Sequence, residues 1–265
     1  MQRSPYPRWR IYYAVVLLLL YLPILLLVVF SFNDATSLVF PLRGFTLQWY
    51  ANLSQNQVLL GAVGNSIRVG LVSSAAATAL GAMGAFAMLR YQLPGRSLFL
   101  AVSMLPLVIP YLILGAALLI LFKELGLTLS VFTAGLAHVV VSTPYAMLII
   151  GARLAGFPKN LEEAAMDLGA SYSMALLRVT LPICSPALLA AFLLCFTISF
   201  DEYSISSFLA GTDTTLPIYL YSQLRFPTRL PMVVALASIL MATTISVALL
   251  SDRLRRVGQV RPLNA

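Results

Sequence analysis

A chain of 265 residues that is 60% hydrophobic and only 10% charged lies far below the roughly 25% charge of an average soluble protein. Its 17 Lys and Arg plus 9 Asp and Glu cannot cover a 28.8 kDa globule, which excludes a water-soluble fold and makes the bilayer the solvent. The net charge of +8 invites nucleic acid as a partner, but the basic residues lie between apolar blocks, which reads as membrane topology and not as a nucleic-acid patch.

A hydrocarbon core about 30 Å thick is crossed by about 20 apolar residues in a helix. Six stretches qualify, at about 11–30, 66–89, 98–122, 131–151, 187–208 and 232–250. The predicted fold is therefore all-α, a polytopic membrane protein with six transmembrane helices. Residues 1–10 form a tail before the first helix at 11–30. That first block is longer than the usual 7 to 15 residues of a signal-peptide core and no small-x-small site precedes Asn33, so a retained helix is expected. A polar extracytoplasmic segment, 31–61, carries Trp49 and Tyr50, residue types suited to the headgroup level. A five-helix core follows over 62–250, interrupted by a charged loop at 152–185, and 251–265 is a second tail.

Orientation follows from Lys and Arg. With the N-terminus cytoplasmic, the inner side holds Arg3, Arg8, Arg10, Arg90, Arg96, Arg153, Lys159, Arg178, Arg253, Arg255, Arg256 and Arg261. The outer side holds only Arg43, Lys123, Arg225 and Arg229, with Arg68 in or beside the second span. Both termini are then expected on the cytoplasmic side.

The second span carries small residues on two adjacent lines, Gly70, Ser74, Thr78, Ala82 and Ser73, Ala77, Gly81, Ala85, which let helix backbones approach closely. Pro106 and Pro110 remove two backbone donors a turn apart in the third span, consistent with a static kink or a moving gate. His138 in the fourth span has no acidic neighbour in sequence, so a hydrogen-bonded structural histidine is preferred over a proton relay. Near the end of the fifth span, Asp201, Glu202 and Tyr203 combine two carboxylates with an aromatic ring, a set suited to an ammonium solute; the alternative is a solvated pair at a helix end. Adjacent helical residues diverge by about 100°, so both carboxylates cannot enter one small site. Cys184 and Cys195 give no disulfide framework and no metal spacing. No phosphate loop, zinc-protease helix or nucleophile turn is present, so catalytic and metal residues are expected to be none, and any ATP must be bound by another chain.

The loop at 152–185 contains Asn160-Leu161-Glu162-Glu163-Ala164-Ala165-Met166-Asp167-Leu168-Gly169, helix formers closed by a glycine. A short amphipathic helix is expected there, acidic on the basic side of the membrane, which suits a protein partner better than anionic lipid. Glu163-Ala164-Ala165, three residues, Gly169, nine residues, Val179, one residue and Leu181-Pro182 resembles the EAA motif of bacterial ABC importer permeases, which usually carry Ile where this chain has Val179. Phe45 to Tyr50, Asp167 to Ser171 and Ser199 to Glu202 are similar to the second permease of spermidine/putrescine importers, a pattern shared in large part by permeases for iron, thiamine, opines or phosphonates.

The resemblance implies a type I ABC importer permease fold and a non-catalytic subunit of the bacterial inner membrane. It implies that Glu163, Ala164, Ala165 and Gly169, with Leu181 and Pro182, couple the chain to an ATPase. The implied partners are two ATPase subunits, a second permease (homologous or identical) and a periplasmic solute-binding protein, within the lipid bilayer. It implies no cofactor in this chain, ATP and Mg being held by the ATPase, and a polyamine as solute. A secondary carrier working alone is the rival class.

Overall fold

The computed structural model describes residues 7–91 and 94–258, and side chains from 9 to 246. Arg3 and Arg261 of the basic tails lie outside the described residues. In chain order the helices are α1 (Pro7–Phe30), α2 (Gln48–Gln55), α3 (Gln57–Arg90), α4 (Arg96–Val108), α5 (Tyr111–Glu124), α6 (Val131–Ala155), α7 (Asn160–Asp167), α8 (Tyr172–Ala175), α9 (Leu181–Phe200), α10 (Ser206–Leu209), α11 (Leu216–Leu224) and α12 (Leu230–Gly258). Among the described residues there is no strand, only an isolated bridge between Asn33 and Phe45. Among the described residues five helical stretches are long and apolar enough to cross a bilayer, and the bent pair α4 and α5 makes a sixth if the two act as one span.

Two details differ from the sequence expectation. The third span is not one helix: α4 and α5 meet at 109°, with Ile109 extended at ψ 126° and Pro110 outside the helical region at ψ 133°. Pro110 disfavours helical geometry at the residue before it and has no N–H to continue the ladder, so the helix ends there. The fifth span runs over Tyr172–Phe200, beginning well before 187 and stopping before 208. A π-helical turn, Leu176–Thr180, joins α8 to α9, and the Leu181 N–H bonds to the Leu176 carbonyl five residues back. This wider turn carries the helix into Pro182, which cannot donate. Val179, Leu181 and Pro182 are therefore part of the fifth span and not of a loop.

The chain divides into two compact units. In one, formed by Met1–Gln57 and Leu220–Ala265, α12 packs on α1 and α2. The polar segment after α1 folds on itself there: the Trp49 indole N–H donates to the Asn33 carbonyl at 2.9 Å, and the Tyr50 and Ser31 hydroxyls lie 2.6 Å apart.

The other unit, Val58–Tyr219, holds α3 to α10. All eight small residues of the two lines on α3 are buried. They meet α6 and α9: Ala77, Ala82 and Ala85 share a core with Ala146, Met147, Ile150, Ala191 and Cys195. The approach at Gly81 is close enough that an added Cβ would lie 2.6 Å from Ala146 Cβ and 2.7 Å from the Met147 nitrogen. The unit has two distinct ends. At one, Arg90 meets Glu162 and Phe157; at the other, the Leu216 N–H donates to Ser66 Oγ and Thr133 Oγ1 donates to the Leu209 carbonyl. The end of α3 and the end of α6 share the first place, while the start of α6 lies at the second. The bent pair α4 and α5 therefore carries the chain once across the unit and does not return it to the end it left.

Candidate functional site

At the basic end, α7 forms over the predicted amphipathic stretch and stops by a defined device. The Gly169 N–H bonds to the Met166 carbonyl at 2.9 Å and the Ala170 N–H to the Ala165 carbonyl at 3.0 Å, the paired closure of a Schellman turn. That turn places Gly169 at φ +93°, a left-handed conformation that only glycine adopts without strain. The glycine of the motif is thus the stop of this helix, and its surroundings are open, with no atom within 4 Å of an added Cβ.

The helix has two faces. Glu163, Ala164, Asp167 and Gly169 are exposed, Ala165 is half-buried, and Leu168 beside the stop is 90% exposed. Glu162 points the other way and is buried, its carboxylate paired with Arg90 at 3.2 Å and accepting from the Thr180 hydroxyl at 2.8 Å. Leu181 is half-buried and Pro182 exposed at the start of α9. The resemblance singles out neither Leu168 nor Glu162, and Glu162, one of the acids expected on a partner-facing helix, faces inward. The doublet Glu162-Glu163 was the available signal, since neighbours on a helix diverge and an amphipathic helix sends one of them inward.

At the opposite end the three candidate pathway residues separate. Asp201 closes α9 with its N–H bonded to the Thr197 carbonyl, and its side chain is exposed. Glu202 is buried and its two oxygens are occupied: Oε1 accepts from the Ile205 N–H at 2.7 Å and Oε2 from the Ser206 N–H at 2.8 Å. His138 Nε2 lies 3.4 Å from Glu202 Oε2 and 3.0 Å from Ser206 Oγ, while Nδ1 lies 2.6 Å from Ser199 Oγ. Ser199 in turn reaches Ser73 of α3 at 3.0 Å. His138 is thus hydrogen-bonded as expected, and the acidic neighbour absent from its sequence surroundings arrives from α9's far end. Tyr203 is half-buried. The structure brings Glu202 to His138 and leaves Asp201 as the free-facing carboxylate of the three.

No group of three or more His, Cys, Asp or Glu side chains is placed to hold a metal among the described residues. The described residues thus form a helical core with membrane-crossing lengths and an exposed amphipathic helix at one end.

Comparison with known proteins agrees. The family model for the inner membrane component of binding-protein-dependent transport systems matches residues 77–256. The chain is 37% identical over 251 residues to the putrescine transport system permease protein PotI of Escherichia coli (strain K12), covering 90% of this chain and 86% of that one. It is 34% identical over 244 residues to the spermidine/putrescine transport system permease protein PotC of Haemophilus influenzae, covering 91% of this chain and 94% of that one. Its fold is similar to that of a bacterial ABC transporter involved in the import of the acidic polysaccharide alginate, with TM-score 0.72 and 18% identity over 97% of this chain and all of that one. The methionine ABC transporter MetNI in an inward-facing form gives TM-score 0.58 and 19% identity over 77% of this chain and 97% of that one.

The chain belongs to the family of inner membrane components of binding-protein-dependent transport systems. It is an ABC importer permease, a multi-pass protein of the bacterial inner membrane that is not itself an enzyme, ATP being hydrolysed by a separate ATPase subunit.

Proposed function

We propose that this permease forms half of the pathway of an importer for a polyamine such as putrescine or spermidine. The observation that carries the reading is the 37% identity, over nine-tenths of the chain, to a permease of a putrescine transport system. The chemistry of the solute agrees with Asp201, an exposed carboxylate at the end of a span that can pair with an ammonium group. Glu202 and Tyr203 follow it, Glu202 as the pin that holds the turn after α9.

A second permease, homologous or identical, supplies the other half, and a periplasmic binding protein delivers the solute. Two ATPase subunits receive the exposed face of α7 through Glu163, Ala164, Ala165 and Gly169, with Leu181 and Pro182 beginning the span behind it. ATP and Mg belong to those subunits, and this chain needs no cofactor. Both termini and α7 lie in the cytoplasm. ATP-driven closure of the ATPase pair then shifts the permeases between inward-open and outward-open states, a displacement of bistable packed elements.

Proteoliposomes holding the permease pair and ATPase, supplied with the binding protein, test the solute. Saturable uptake of radiolabelled putrescine or spermidine that needs internal ATP is expected. Uptake of thiamine or ferric ion with no uptake of either polyamine would replace the assignment.

A further inference from the structure

Three elements converge on one carboxylate at the basic end. Glu162 of α7 pairs with Arg90, the last residue of α3: Arg90 Nε and Nη2 both lie 3.2 Å from Glu162 Oε1. The same oxygen accepts the hydroxyl of Thr180, the last residue of the π-helical turn that opens the fifth span. The two charged side chains are only 7% and 8% exposed, and Thr180 is fully buried. Arg90 also lies 5.7 Å over the Phe157 ring, in an apolar cluster with Leu154, Cys184, Phe86, Leu89 and Ile183.

Covalently, α7 hangs between two short connections, Gly156 to Lys159, in which Phe157 is buried, and Leu168 to Ser171. Its non-covalent packing is on α8 and the π-helical turn. The charged link to α3 passes through Glu162 alone among the described residues. Separating this desolvated ion pair, in which Arg90 Nε donates to Glu162 Oε1, leaves a buried charge without compensation, so the pair resists being pulled apart.

We propose that the Glu162, Arg90 and Thr180 cluster is the joint that makes α7 move as one body with the end of α3 and the start of the fifth span. Glu162 is then a positioning residue: it touches neither solute nor nucleotide, but it determines whether a displacement of α7 reaches the spans. The inference rests on the reading of α7 as the ATPase contact, and the two fail in different ways.

The assembled importer carries spin labels at Asp167→Cys on α7 and Met83→Cys on α3, both exposed, while the native Cys184 and Cys195 are buried and unreactive. With the joint intact, the Asp167 to Met83 distance is expected to stay single and narrow in both the nucleotide-free and the ATP-trapped state. In Glu162→Gln it shifts or spreads on ATP trapping by the scale of a helix displacement, about 2 Å or more. Thr180→Val, which keeps the ion pair and removes only the hydroxyl, serves as the second variant should Glu162→Gln fail to fold, and a smaller spread on ATP trapping is expected. An ATP-dependent change in the unmodified joint, or distances as narrow as the parent's in both variants, overturns the proposal. Failure of the underlying docking reading shows elsewhere: Leu168→Asp then leaves the ATPase bound to the permease, whatever the label distances.

Discussion

Two neighbouring carboxylates occupy opposite situations, and a single-atom change separates them. Glu202 accepts two backbone N–H groups, one on each oxygen, with His138 close to the second. A glutamine there offers one acceptor and turns an amide NH2 toward a donor that has lost its partner. Leaving one buried backbone donor unpaired costs about 1–3 kcal/mol. Glu202→Gln is therefore expected to lower the melting temperature of the solubilised protein by several degrees, at about 2–4 °C per kcal/mol for a chain of this size. Asp201→Asn changes an exposed side chain with no such duty, so its stability stays within about 0.5 kcal/mol of the parent, while polyamine uptake falls if the carboxylate guides a cation. Equal melting temperatures for the two variants would remove the structural role given to Glu202. Helical divergence separates the two acids already in the sequence, but nothing local shows that His138 and the Ser206 N–H meet Glu202 and not Asp201.

Helix packing shows the same division between what lipid dictates and what partners dictate. The apolar runs were legible because every span must satisfy its own backbone in hydrocarbon, and that demand is written in about 20 consecutive residues. The small residues of α3 were legible as a contact face for the same local reason, and all eight are buried. The break between α4 and α5 was signalled by Pro106 and Pro110, but its 109° angle depends on what the pair packs against, and α10 against α5 is a contact between distant parts of the chain. The early start of the fifth span was hidden by Arg178 and Pro182, which look like loop residues until a π-helical turn accommodates them. The close approach of α3 and α6 gives a sharp expectation. At Gly81 an added Cβ meets Ala146 and the Met147 backbone, neither of which can rotate away, so Gly81→Ala should cost about 1–3 kcal/mol by overpacking. Gly64 lies on the same helix with nothing within 4 Å, and Gly64→Ala should be neutral or stabilising by up to about 1 kcal/mol. Thermal unfolding of the two variants side by side checks this, and a Gly81→Ala protein as stable as the parent would mean the helices do not meet as closely as described.

Crossing number is a property of the whole chain, and here it turns on the bent pair. A pair of short helices at 109° can cross a bilayer once or dip in and return, and composition alone does not choose. The ends of the unit Val58–Tyr219 choose. Arg90 at the end of α3 and Glu162 just beyond α6 are in contact, so both helices finish at one end. Since α6 starts at the other end, where Thr133 bonds the Leu209 carbonyl, residues 91–130 must have crossed. If the basic end is cytoplasmic, as its Arg90, Arg153 and Lys159 predict, the loop between α5 and α6 is expected in the periplasm despite Lys123 and Glu124. Alkaline phosphatase, which is active only outside the cytoplasm, is therefore expected to be active when fused after Gln55 or after Leu127 and inactive when fused after Lys159. An inactive Leu127 fusion beside an active Gln55 fusion would make the pair re-entrant, and an active Lys159 fusion would invert the chain and place α7 out of reach of any ATPase.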